Sequence, residues 1–270
     1  MVGGVMLKQV LFVSLLIFSG LVLLIYLFQR HYIYFPLKQA PLRALFLAEK
    51  YKVITFNTTD GLTLHAWYKP AARSKPTLLY FHGNAGHIGY RVSSVKPYVD
   101  AGYGVLLLEY RGYGGNPGAP SEQGLYRDGR AAYDYLLKEG VQPDSLVLFG
   151  SSLGTGVATQ LGTERQACVI ILQSPFTSMS DLSRYHYPWI LLKPWDRFES
   201  INKIDATNAP LLILHGKRDT VVPFEQGLSL FKQASQPKFM ISYDDGDHGS
   251  LWSEPNFYIS IRHFIEGNCQ

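Results

Sequence analysis

Six short runs, each apolar almost from end to end, punctuate the chain at residues 78–81, 105–108, 146–149, 169–172, 211–214 and 239–241. A half-exposed strand alternates apolar and polar residues because its side chains point to opposite faces. A strand without that alternation has both faces covered. Between the runs lie helix candidates at 122–137 after an N-cap-like Ser121, at 155–162, at 224–234 after Pro223, and at 256–265. Strands alternating with helices predict an α/β fold: a mostly parallel sheet with helices on both faces and crossovers of one hand. Residues 53–56 and 62–68 flank Asp60-Gly61, a pair suited to a tight turn because glycine tolerates positive φ. They read as an antiparallel hairpin at the N-terminal edge of the sheet, with Leu62, Leu64, Ala66 and Tyr68 on one face.

The first 36 residues are of a different character. Residues 10–28 are apolar apart from Ser14, Ser19 and Gly20. At 1.5 Å per residue such a helix spans close to the ~30 Å hydrocarbon core of a bilayer. A cleaved signal peptide has a shorter apolar region ending in small residues. Here the run continues into bulky, aromatic Gln29-Arg30-His31-Tyr32-Ile33-Tyr34-Phe35-Pro36, with Arg30, Tyr26, Tyr32 and Tyr34 placed as interfacial anchors. The expectation is an uncleaved single-span membrane anchor over 1–36, and no cysteine near the run permits a lipoprotein. Lys8 precedes the span, while Arg30, Lys38, Arg43, Lys50 and Lys52 follow it. The positive-inside rule taken literally keeps the large domain in the cytoplasm, whereas a signal-anchor exports it, and both sides stay open. Residues 37–51, with Leu42, Leu45 and Phe46, form a linker that either lies on the membrane surface or packs on the domain.

Residues 52–270 form the third unit. Within it, about 179–204 break the alternation with Tyr185, Tyr187, Pro188, Trp189, Pro194, Trp195 and Phe198. This reads as a small cap over the carboxyl ends of the strands, where open α/β sheets bind ligands. With 47% hydrophobic and 17% charged residues the chain can bury a core. A net charge of +4, without a basic cluster interleaved with aromatics, argues against nucleic-acid binding. The two cysteines set no disulfide framework and have no metal spacing; Cys168 reads as a small core residue and Cys269 lies next to the terminus.

Gly150-Ser151-Ser152-Leu153-Gly154 stands between the run 146–149 and a segment of small residues. A serine hydroxyl is a poor nucleophile at neutral pH and needs a base. A sharp strand-to-helix turn lifts Ser152 clear of the sheet, and Gly150 and Gly154 flank it where side chains would clash. Ser151 is a rival nucleophile with the wrong spacing to the glycines. For the base, His248 lies in the loop Asp244-Asp245-Gly246-Asp247-His248-Gly249 after the last strand-like run. For the acid, Asp219 follows the run 211–214, with Asp247 the rival. The order serine, acid, histidine is that of an α/β-hydrolase triad. The oxyanion hole needs two N–H donors. Leu153 offers one, and Asn84 the other, turned toward the site by Gly83 in Phe81-His82-Gly83-Asn84-Ala85-Gly86.

From about Lys52 to Ile265 the chain resembles the α/β-hydrolase superfamily, and within it a membrane-anchored branch of lysophospholipid hydrolases, protein depalmitoylases and their bacterial relatives. The resemblance rests on Tyr80-Phe81-His82-Gly83-Asn84-Ala85-Gly86, Glu109-Tyr110-Arg111-Gly112-Tyr113-Gly114, Pro120-Ser121-Glu122, Gly150-Ser151-Ser152-Leu153-Gly154-Thr155-Gly156 and Ser174-Pro175-Phe176-Thr177-Ser178. It implies triad roles for Ser152, Asp219 and His248, and oxyanion roles for Asn84 and Leu153. The Arg111-Gly112-Tyr113-Gly114 turn is then scaffold, with Arg111 bonding backbone carbonyls. Gly115-Asn116-Pro117 departs from the pattern, where relatives often have a serine. The expected chemistry is cleavage of a carboxylic ester or thioester through an acyl-enzyme, on lipid-like or acylated substrates near a membrane, with no cofactor and no metal. A serine peptidase or small-ester esterase, and a catalytically silent membrane-tethered scaffold, are the competing readings. The pattern sets no oligomeric state.

Overall fold

The computed structural model describes residues 2–190 and 192–269; Met1, Leu191 in the predicted cap, and Gln270 lie outside the described residues. Eight strands make one twisted sheet: β2 (Lys52–Asn57), β3 (Thr63–Lys69), β4 (Thr77–Phe81), β6 (Gly104–Leu108), β7 (Leu146–Ser151), β8 (Val169–Gln173), β9 (Leu211–Gly216) and β10 (Lys238–Tyr243). Two short strands, β1 (Phe35–Pro36) and β5 (Ala85–Gly86), pair separately. The large sheet has the order β10-β9-β8-β7-β4-β6-β3-β2. It is parallel from β10 to β6 and antiparallel at β3 and β2. The hairpin thus sits at the edge, and Leu64, Ala66 and Tyr68 are buried on its inner face.

The continuous apolar runs supply both faces at once. Leu79, Phe81, Leu106, Leu108, Leu148 and Leu172 enter one core, against helices α4 (Glu122–Lys138), α5 (Leu153–Glu164) and α7 (Phe224–Gln233). Their neighbours Leu78, Tyr80, Val105, Leu107, Phe149 and Ile171 enter the other, against α3 (Val92–Asp100) and α8 (Phe257–Asn268). Ser121 caps α4, its hydroxyl accepting from the Gly124 N–H at 3.1 Å. From β4 the chain crosses to β6 on one side and later returns to β7 on the other. The carboxyl ends of β4 and β7 therefore flank the point where winding reverses, which opens a crevice between the loops that leave them.

Further elements lie outside these layers. Helix α1 (Val2–Leu27) contains a stretch, Val5–Leu27, long and apolar enough to cross a membrane, and α2 (Gln29–Ile33) follows directly. Helix α6 (Met179–His186) opens the cap region. The segment after β1 packs on the domain: the Phe46 ring meets His87 and Tyr90 edge-on, and Ala48 and Tyr51 are buried.

Two expectations are corrected. Cys168 and Cys269 form a disulfide across 101 residues, tying the end of α8 to the start of β8. Arg111 binds carboxylates and not backbone carbonyls: Asp128 at 2.8–2.9 Å and Asp60 at 2.7–3.0 Å. A guanidinium fork matches paired carboxylate oxygens, so the hairpin turn is clamped to α4 through it. Asn116, at the departure from the family pattern, holds His65 by both backbone groups and also donates to the Glu109 carbonyl.

Candidate active site

Ser152 follows β7 directly and caps α5 with φ +51°, ψ −120°, a strained backbone for a residue with a side chain. The turn is tight enough that a Cβ on Gly150 would stand 2.5 Å from the Gly154 carbonyl oxygen. A Cβ on Gly154 would stand 2.1 Å from the Phe81 carbonyl oxygen, because α5 crosses the end of β4 at backbone contact. The strain is held by neighbours: the Ser152 N–H donates to the Gln173 carbonyl at 2.9 Å, and its own carbonyl accepts from the Thr155 hydroxyl at 2.6 Å.

The three side chains singled out for proton transfer meet, although 96 residues separate Ser152 from His248 and 29 separate His248 from Asp219. His248 Nε2 is 2.9 Å from Ser152 Oγ, and His248 Nδ1 is 2.7 Å from Asp219 Oδ2. The other carboxylate oxygen, Oδ1, accepts the backbone N–H groups of Val221 and Val222 at 2.9 and 2.7 Å. His215 Nε2 donates to the Val222 carbonyl at 2.9 Å and lies 3.5 Å from Asp219 Oδ2. Burial works to raise the Asp219 pKa. Hydrogen bonds from His215 and His248, the His248 charge and the Val222 N–H outweigh it and hold the carboxyl well below the usual range. Asp219 therefore stays ionised, and its partner oxygen can accept only a proton-bearing Nδ1. That leaves the Nε2 lone pair on the serine hydroxyl. The rival acid Asp247 is occupied otherwise, with Oδ1 accepting from the Gly249 and Ser250 N–H groups.

Beside Ser152 runs the loop from His82 to Asn84. A Cβ on Gly83 would sit 3.4 Å from Ser152 Cβ and 3.9 Å from its Oγ, in the space a reacting carbonyl needs. Each carbonyl of this loop is held by a donor. Tyr110 Oη–H reaches the His82 carbonyl at 3.2 Å, and His82 Nδ1 reaches the Gly83 carbonyl at 2.7 Å. Tyr113 Oη–H and the Phe35 N–H reach the Asn84 carbonyl at 2.7 and 2.9 Å. In a trans peptide the N–H points opposite the C=O. Fixing the Gly83 carbonyl through His82 thus fixes the direction of the Asn84 N–H. His82 is itself fully buried, 3.3 Å from Glu109 Oε1, with its ring tilted against Tyr110 and edge-on to Tyr113. Leu153 opens α5, where the first N–H groups have no acceptor within the helix. The Arg111-Gly112-Tyr113-Gly114 turn, expected as scaffold, also contributes Tyr113, which with Tyr110 braces the loop, a role visible only once β4 and β6 are neighbours.

A cavity of about 430 Å³ opens over Ser152, Leu153 and Asn84. Its other walls are mostly apolar, including Phe176 and Val222 and, from α6, Leu182, and none of its described lining residues is Asp, Glu, Lys or Arg. Among the described residues no group of three or more His, Cys, Asp or Glu side chains is disposed to hold a metal ion. The arrangement can deprotonate a hydroxyl, direct it at a carbonyl held against two amides, and keep an apolar group beside it.

The fold is shared with an esterase from Pyrococcus furiosus, which superposes with a TM-score of 0.71 at 17% identity over 88% of this chain and 98% of the esterase. The serine aminopeptidase S33 family model matches residues 72–202. An uncharacterized protein of Mycobacterium tuberculosis is 38% identical over 228 residues, covering 83% of this chain and 81% of the relative. The chain belongs to the α/β-hydrolase superfamily and is an enzyme of its esterase/lipase type. More narrowly, it is similar to the lysophosphatidylserine lipase ABHD12 of Danio rerio, at 37% identity over 64% of this chain and 51% of that longer protein.

Proposed function

We propose that the chain is a membrane-anchored serine hydrolase that cleaves acyl esters or thioesters of lipid-like substrates through an acyl-enzyme. Ser152 is the nucleophile, His248 the general base and then the general acid, and Asp219 the group that holds the imidazole tautomer and stabilises the imidazolium. The Asn84 and Leu153 N–H groups receive the oxyanion. The observation that carries this reading is the unbroken chain Asp219 Oδ2–His248 Nδ1, His248 Nε2–Ser152 Oγ, ending at an apolar cavity. Ser152 Oγ attacks the carbonyl as its proton moves to Nε2. The tetrahedral intermediate collapses when Nε2 protonates the departing alcohol or thiol, and water repeats the sequence to release the acid. An aminopeptidase must recognise an ammonium group, and the absence of a carboxylate among the described cavity residues favours an acyl chain instead. The similarity to a lysophosphatidylserine lipase supports a lysolipid as the substrate class.

A fluorophosphonate probe is expected to label the wild type and not Ser152→Ala. Across p-nitrophenyl esters, kcat/KM is expected to rise at least tenfold from acetate to octanoate. Absent labelling of folded enzyme returns the scaffold reading; faster cleavage of aminoacyl p-nitroanilides than of esters returns the peptidase.

The Cys168–Cys269 pairing also bears on the membrane side. Disulfides persist in oxidising compartments, so we place the domain on the extracytoplasmic side of its anchor, as a signal-anchor does. Cys269→Ser is expected to lower stability in chemical denaturation by about 2–4 kcal/mol, because the bridge closes a long loop in the unfolded chain. Alkylation of both thiols in protein extracted without reductant contradicts the assignment.

A further inference from the structure

Within the span Val5–Leu27 three residues are partly covered by the rest of the protein while the others that are described are exposed: Val22, Ile25 and Tyr26. With buried Gln29 they recur at the spacing that puts residues on one helical face. All four line the cavity that contains Ser152. Facing them across the cavity are Met179, Ile190 and Leu192 of the cap.

The helix is latched in that position. Arg30 Nε and Nη2 donate to the two Asp196 oxygens at 2.8 and 3.2 Å, and Tyr34 Oη donates to Asp196 at 3.1 Å. Gln29 Oε1 accepts the Trp195 N–H at 2.6 Å, and the Trp195 ring meets Tyr26 edge-on. Asn84 Nδ2 donates to the Ile33 carbonyl at 3.0 Å, so the residue of the oxyanion loop is bonded directly to the foot of the anchor.

The cap also runs along the helix beyond the latch. Trp189 packs on Phe18, with ring centroids 6.3 Å apart. At 1.5 Å per residue Phe18 lies about 14 Å from Leu27 along the helix, close to the depth of one ~15 Å leaflet. Tyr187, Trp189, Leu192 and Trp195 are about half exposed around this seam. In water that apolar surface would be unfavourable; in acyl chains and headgroups it is at home.

We propose that α1 is a wall of the acyl-binding site as well as an anchor. The substrate's acyl chain lies between the Val22-Ile25-Tyr26 stripe and the cap, its carbonyl at Ser152. It enters sideways from the leaflet through the seam between helix and cap. The proposal rests on the acyl-ester reading above and adds where the chain sits and how it arrives.

The test uses the full-length enzyme in lipid nanodiscs. Val22→Trp and Ile25→Trp are expected to lower the ratio of p-nitrophenyl palmitate to p-nitrophenyl acetate turnover at least tenfold. Leu23→Trp and Leu24→Trp, on the exposed face of the same helix, are expected to hold that ratio within twofold. A hexadecyl fluorophosphonate with a diazirine along its chain, bound to the wild-type enzyme and irradiated, is expected to cross-link the peptide carrying Val22 to Gln29. Cross-links confined to the cap or the sheet core overturn the proposal even where the tryptophan variants fail to fold. If they are so confined and the ratio is unmoved, yet palmitate turnover remains Ser152-dependent, the helix is only an anchor and the acyl-ester reading survives. Wild-type enzyme that turns over acetate but not palmitate overturns both.

Discussion

Ser152→Ala is expected to lower kcat about a millionfold, and adding His248→Ala to it to cost almost nothing more. The non-additivity follows from the geometry. His248 Nε2 has Ser152 Oγ as its partner at 2.9 Å, so without the hydroxyl the base has no proton to take. Whatever rate remains comes from carbonyl polarisation by the two amides and from substrate positioning, neither of which needs the imidazole. The alanine variant should fold, since it occupies the same φ of +51° at the same steric cost as serine and keeps the Ser152 backbone bonds to Gln173 and Thr155. Active-site titration alongside kcat excludes trace wild type. If each single variant keeps several per cent of kcat and the double variant multiplies the losses, Ser152 and His248 do not act as one unit and the acyl-enzyme assignment falls.

The sheet was legible because its information is local. A run such as residues 146–149 carries in four residues the fact that both faces are covered, and the two cores take alternate side chains from it. The elbow was legible in part for a related reason: Gly150 is required by clashes with the backbone of Gly154 and Thr155, within a few residues of Ser152, whereas Gly154 is required by the distant backbone of Phe81 and His82. Asp219 and His248 each follow a strand, and parallel strands of one sheet deliver their loops to one edge, so chain order sufficed to bring them to Ser152. What escaped was set by pairs distant in sequence. Cys168 and Cys269 pair because β8 and α8 are neighbours, and no spacing rule reaches across 101 residues. Arg111 meets Asp60 and Asp128 only after the hairpin folds back on α4. Helix α3 was missed although Val92, Val95 and Val99 recur on one face, because Ser93, Ser94 and Pro97 dilute the pattern. The docking on Asp196 of Arg30 and Tyr34, just after α1, carries no local signal, and it is what joins the N-terminal apolar helix to the site.

Asp219→Asn is expected to cost about 10⁴ in kcat while leaving the fold intact. An amide is isosteric with the carboxylate but has one accepting and one donating end. Two backbone N–H groups, from Val221 and Val222, point at Oδ1. Leaving both unpaired in a buried position is unfavourable, so the amide oxygen takes that place and its NH₂ faces His248 Nδ1. Nδ1 must then be the acceptor, the ring proton moves to Nε2, and the imidazole presents a donor to Ser152 where a base is needed. The same contacts set a pH signature. The folded-state pKa of Asp219 lies below its unfolded value of about 3.9, so the ionised carboxylate stabilises the fold above that pH. This contribution is lost as pH falls through the folded-state value, and the asparagine variant lacks it throughout. The difference in Tm, wild type minus Asp219→Asn, should therefore be positive and flat from pH 5 to 7 and shrink below pH 4. A difference that grows with acidification contradicts the ionised state. A variant that keeps more than a tenth of wild-type kcat at pH 7 contradicts the tautomer argument itself, because Oδ1 would then have given up its backbone partners to keep the base correctly protonated.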